Sequence, residues 1–317
     1  MSSLRGEPGS ALTLPRSVDV LAAAASRAGR PGAIWLSGIA YQSVVLGWTF
    51  GAVVAGPLLR ESLLALGLRR VRDVVPLKLH PLPGVVDLLT WVQRNGVGAA
   101  LVSAPIILVA FRLAAGLARL SPANRWDEAR GNRRTPRLRL AWRAGKGLTL
   151  ASVAMWLQFL LMMFGATLVF VGPAQLFLNF VHLDTLHALT AILSGLMVAL
   201  LLIYSFLLSI LFQLALHSLV QNRRGVGSAL LHAWRIAKNE PMATVRATAS
   251  DAVLYFTVFL LELGLFLSLG WLQATAWVAT LLGTALIGFA GCTRCAFWAS
   301  AYQNLGGLST VDDAPGG

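Results

Sequence analysis

Glu262 stands alone in the run FLLELGL, residues 259–265. A carboxylate among lipid-soluble neighbours is costly, so it must be paired, protonated or hydrated. Arg112, inside another apolar run, is its expected partner. On a helix Asp251, Tyr255 and Glu262 fall on nearly one face. That arrangement fits either a proton or substrate relay or one half of a structural ion pair. Arg294 lies nearer a helix end, from which its long side chain is expected to snorkel. Gln158, Tyr204 and Gln213 are further polar groups that could line an internal path.

Two other clusters carry metal or redox chemistry in principle. Cys292-Thr293-Arg294-Cys295 puts two sulfurs on one helical face, but a zinc site wants four ligands and the chain has only these two cysteines. A redox pair belongs at a helix start beside a strand. Two small buried residues at a helix contact is the expected reading. His182, Asp184 and His187 could hold a metal from one turn, or Asp184 could simply cap the following helix. No nucleophile elbow, zincin motif, phosphate loop or dinucleotide fingerprint is present. No catalytic cluster, metal or cofactor is therefore expected.

These residues sit in a chain that is 56% hydrophobic and 12% charged. A soluble domain carries about twice that share of charge. Too little polar surface remains for a water-soluble globule, which makes the chain a multi-pass membrane protein. The net charge of +13 is gathered in blocks between apolar runs. That placement fits anionic lipid headgroups and gives no reason to expect nucleic acid. No cleavable signal peptide is recognisable in the first 30 residues.

Apolar runs long enough to cross a bilayer cover 33–58, 97–119, 148–172, 186–219, 252–271 and 274–300. No stretch alternates at period two, so the fold is all-α, a bundle of six transmembrane helices. With the N-terminus in the cytoplasm, 19 basic residues fall inside and six outside, in line with the positive-inside rule. All six outside lie in 59–96, which is expected to rest on the membrane surface, broken at Pro81 and Pro83. Both termini are then cytoplasmic, in the inner membrane of a bacterium. Residues 1–16 and 305–317 read as disordered tails around a single membrane domain, 17–304. Ser43, Gly47, Gly51 and Ala55 form a small-residue stripe on the first helix, suited to close helix packing.

A device repeats in front of the apolar runs. AWRAGK (141–146) and AWRIAK (233–238) are each preceded by Asn-Arg-Arg, at 132–134 and 222–224. ASRAGR (25–30) is a fainter copy. In the later copy Leu230, Ala233, Trp234 and Ala237 are expected on one face, with Ser228, His232, Arg235 and Asn239 opposite. Such helices, at about 17–29, 136–146 and 227–239, lie in the headgroup layer. Trp142, Arg143 and Lys146, and Trp234, Arg235 and Lys238, are the expected interfacial anchors. The layout is then three repeats of interfacial helix plus helical hairpin.

The stretch FQLALHSLVQNRRGVGSALLHAWRIAKNEP (212–241) is a long helix, a basic glycine-containing turn and an amphipathic helix. It resembles the repeated unit of bacterial six-helix membrane proteins related to the membrane domain of glycerophosphoryl diester phosphodiesterases. The resemblance implies a six-helix bundle. It brings no catalytic residues, because the phosphodiesterase chemistry of such proteins sits in a separate soluble domain with no counterpart here. The expected function is a non-enzymatic scaffold or accessory subunit that binds anionic lipid and a membrane or cytoplasmic protein. A transporter or permease component using Glu262 is the alternative, and a lipid-modifying enzyme a third.

Overall fold

The structure is a computed structural model, and it describes residues 19–25, 34–45, 47, 103–121, 137–180, 184–269 and 273–308. Within them every element is a helix: α1 (19–25), α2 (Ile34–Val45), α3 (Ser103–Leu120), α4 (Arg137–Ala144), α5 (Thr149–Phe180), α6 (Asp184–Gln221), α7 (Val226–Asn239), α8 (Pro241–Leu269) and α9 (Gln273–Asn304). Five of these, α3, α5, α6, α8 and α9, are long and apolar enough to cross a membrane. That fits a multi-pass membrane protein. The first expected span is described as a helix only over Ile34–Val45. The surface segment 59–96 lies outside the described residues.

Side-chain hydroxyls along these helices turn back onto their own backbone. Thr167 donates to the Met163 carbonyl at 2.9 Å, Thr257 to Val253 at 2.8 Å and Thr284 to Thr280 at 2.7 Å. A hydroxyl facing hydrocarbon has no water to bond, so the i−4 carbonyl is its nearest acceptor.

Several boundaries differ from the hydropathy reading. Helix α5 does not stop at 172 but runs through Pro173 to Phe180. Proline removes one backbone donor, a loss that a long apolar helix tolerates. Helix α8 begins at Pro241, eleven residues before the expected 252. Proline suits that first helical position because its missing N–H would be unpaired there anyway. The intervening residues are polar enough to break an apolar run, yet Ala243, Thr244, Ala247 and Thr248 are buried and keep the helix docked.

The chain divides into two compact units, Met1–Val45 with Phe111–Ser152 and Ile210–Gly317, and Leu46–Ala110 with Val153–Ser209. The second unit contains the tilted ring pair Phe170–Tyr204, with centroids 6.2 Å apart. The first unit holds the candidate site. Its centre is α9, whose residues 290–299 are all buried. Helix α2 crosses α9 backbone to backbone: a Cβ on Gly38 would overlap the Gly288 carbonyl, and one on Gly291 the Gly38 carbonyl. The close approach is therefore at Gly38; of the expected stripe Ser43 is exposed, Gly47 sits against the Trp156 ring, and Gly51 and Ala55 lie outside the described residues.

A second close approach joins α3 to α4. A Cβ on Gly116 would overlap the Ala141 carbonyl, and one on Gly145 that of Arg112. The short α4 ends where Gly147 takes φ 85°, a left-handed conformation that glycine adopts without cost.

The C-terminal end of α9 is also ordered beyond the expected 304. Gly306, at φ 77°, lets Gly306 N donate to Gln303 O at 3.1 Å and Gly307 N to Tyr302 O at 2.9 Å. This is a Schellman turn. The Gly307 carbonyl then accepts from Asn222 Nδ2 at 2.8 Å and from His232 Nε2 at 3.2 Å. Asn222 Nδ2 also reaches Tyr302 Oη at 2.9 Å. Asn222 thus pins the turn between α6 and α7, where Arg223 holds an uncommon positive φ of 54°. Replacing Asn222 by Ala removes both contacts and should cost about 1–3 kcal/mol. Amide exchange across residues 302–308 should rise well above that of the α9 centre; unchanged exchange would show that the hook holds without Asn222.

Candidate functional site

Four helices of the first unit point polar side chains into its interior. Tyr41 and Gln42 come from α2, Gln213 and His217 from α6, Asp251 from α8 and Arg294 from α9, and all six are buried. Asp251 lies ten residues from the start of α8, and Arg294 lies ten residues from the end of α9. In an antiparallel pair those positions fall level with each other, ~15 Å in at 1.5 Å per residue.

The two form a fork. Arg294 Nε donates to Asp251 Oδ1 at 2.8 Å and Oδ2 at 2.9 Å, and Nη2 donates to Oδ2 at 2.7 Å. The third guanidinium nitrogen, Nη1, is 3.5 Å from Gln42 Oε1. The guanidinium carbon also lies 5.8 Å from the Tyr255 ring centre, within cation–π range. Both partners are under a tenth exposed. Both carboxylate oxygens accept from the arginine, and each guanidinium nitrogen has an acceptor inside the bundle. Chemically this is a lock between helices.

Beside it runs a hydrogen-bonded chain. Tyr41 Oη donates to Gln213 Oε1 at 2.5 Å and lies 3.5 Å from His217 Nε2. Gln221 Nε2 sits 3.2 Å from His217 Nδ1. An amide nitrogen only donates, so in this arrangement Nδ1 accepts and the imidazole proton sits on Nε2, toward Tyr41. Gln213, expected along a transport path, is thus bound into the packing. The two cysteines are free, and both are buried at helix contacts. Cys292 Sγ approaches the Ile34 carbonyl at 3.5 Å, and Cys295 Sγ is 3.2 Å from Ser121 Oγ.

The structure does not bring Glu262 and Arg112 together. Arg112 lies over the Trp142 ring, 3.9 Å from its centroid, and Nε donates to the Trp142 carbonyl at 3.0 Å. Seven residues on, Arg119 Nη1 donates to the Ala144 carbonyl at 3.1 Å. The two arginines cap the C-terminal carbonyls of α4, where a helix end carries partial negative charge. Glu262 Oε1 has no hydrogen-bond partner among the described residues. The described residues contain no group of three or more His, Cys, Asp or Glu that could hold a metal. The side chains of His182, Asp184 and His187 lie outside them.

The expected anchors are on the surface. Trp142 is 38% exposed and Trp234 55%. Arg143, Lys146, Arg235 and Lys238 are exposed, while Ala141 and Ala233 are fully buried. The two copies of the device therefore present the same pattern: alanine inward, tryptophan and both cations outward. The later copy corrects one expectation. Its buried stripe is Ala229, His232, Ala233 and Ile236, so His232 faces the protein and not the polar side.

Arg294 was the missed partner. A sequence signal existed: an acid and an arginine the same number of residues from facing ends of a helical hairpin. It was hidden by the late start assigned to α8. No protein family, curated protein or solved structure matches this chain.

Proposed function

We propose that this chain is a non-enzymatic scaffold or accessory subunit of a bacterial inner membrane, seated on anionic lipid through α4 and α7. The matched exposure of Trp142, Arg143 and Lys146 with Trp234, Arg235 and Lys238 carries the reading. Exposed tryptophan beside exposed cations suits the headgroup layer, where the indole meets acyl chains and the cations meet phosphate. The interior argues the same way, because its charges are spent on one another. The chain then has six spans, both termini in the cytoplasm, and three repeats of interfacial helix plus hairpin.

The test uses the purified chain in vesicles of phosphatidylcholine with a minor share of phosphatidylglycerol. The protein should enrich phosphatidylglycerol around itself. Changing Arg143, Lys146, Arg235 and Lys238 together to Gln should weaken that enrichment at least about tenfold, since each surface cation contributes ~1 kcal/mol against an anionic leaflet. Lipids brominated near the headgroup should quench wild-type fluorescence more than that of a chain with Trp142→Phe and Trp234→Phe. Equal quenching, or an unchanged lipid preference, would remove the proposal.

A further inference from the structure

Glu262 takes no part in the buried network. It lies eleven residues beyond Asp251 on α8, a separation of ~16 Å along the axis with a turn of only ~20° about it. It is half-buried, and Oε1 is shielded but unbonded among the described residues. The adjoining Leu261 and the nearby Leu265 line an open groove of about 370 Å³ with Leu282, Leu286, Phe289 and Trp35. The groove wall is almost wholly apolar. Around it the outer parts of α8 and α9 show large exposed side chains: Phe256 is 61% exposed, Leu281 70% and Trp277 76%.

Lipid chains solvate leucine and phenylalanine well, but they offer a carboxyl group no donor. A cation from a neighbouring helix does. Among the described residues, a second copy of this chain is a poor source. Arg294 is spent on Asp251, and Arg112 is spent on the end of α4.

We infer that the outer part of the α8–α9 hairpin receives a transmembrane helix of another protein, one that carries a single Lys or Arg within its apolar stretch. The cation meets Glu262, and neighbouring apolar side chains of the same helix fill the groove. This deepens the accessory-subunit reading and rests on it. It names a partner by its chemistry, through a surface separate from the lipid-facing α4 and α7.

The probe is a synthetic leucine–alanine transmembrane peptide with one central Lys, compared with the same peptide carrying Leu or Glu there. Association with the dye-labelled full chain is read by energy transfer in phosphatidylcholine vesicles, where no anionic lipid competes for the Lys. The Lys peptide should associate about tenfold more strongly than the Leu peptide, the effect of a good intramembrane polar contact. Glu262→Gln and Glu262→Leu should both lose most of that preference while melting as the wild type does. They should also keep their phosphatidylglycerol enrichment, so this inference and the lipid reading fail separately. Equal binding of the Lys and Leu peptides by the wild type would overturn the inference. So would a Lys preference that survives Glu262→Leu, or displacement of a self-associated second copy by the peptide.

Discussion

Arg294→Leu is expected to cost about 3–5 kcal/mol, enough to leave much of the protein unfolded in mild detergent. The expense does not come from the lost attraction alone. Asp251 stays behind, 5% exposed, with none of the three short contacts that answered it. Asp251→Leu should be similarly harmful, because it strands a guanidinium that is 7% exposed. The double variant should recover a large part of either loss, since two apolar side chains at a buried level replace a pair that was itself costly to desolvate. Melting of the two single variants and the double variant in one detergent forms the cycle. Additive losses would show that the pair does not act as a unit. The corresponding cycle on Glu262 and Arg112 should show no coupling, because the two do not meet.

The second large effect is at the crossing of α2 and α9. Gly291→Val should lower stability by ~3 kcal/mol or more, since the new side chain meets the Gly38 carbonyl and backbone cannot move aside as a flexible side chain can. Gly38→Val should act alike from the other helix, against the Gly288 carbonyl. Gly264 and Gly283 are the controls, because a Cβ on either meets nothing within 4 Å. Changing those to Ala should be neutral or stabilise by about 0.5–1 kcal/mol, the usual gain from removing a helical glycine. Similar melting for all four variants would mean that the crossing is looser than its geometry.

The two predictions also mark where the sequence was legible. The helix at 227–239 could be read because its pattern is local: a basic turn, a glycine pair, then small and aromatic residues at helical spacing. Its exposed anchors could be read for the same reason. His232 could not, because a helix that touches protein, lipid and water has three faces and a polarity wheel has two. The crossing at Gly38 was invisible in α2 alone, since what fixes it is the glycine spacing of α9, far along the chain. The Asp251–Arg294 pair was lost for a different reason. Hydropathy ends where polar residues begin, whereas α8 continues for three further turns on buried alanines and threonines.

The level fork between α8 and α9 bears on how the protein enters the bilayer. Each helix alone carries an ionisable group that a translocon admits reluctantly, at about 2.5–3.5 kcal/mol for a charge near the helix centre. Asp251 leaves the ribosome 43 residues before Arg294. Until that arginine emerges, the nascent α8 has no counter-charge at that level and must linger beside the protein lining of the insertion channel. The two segments are therefore expected to partition as one hairpin, released together once the guanidinium closes on the carboxylate. A chain stalled between residues 270 and 290 would keep α8 at the channel, held by a charge whose partner has not yet been made.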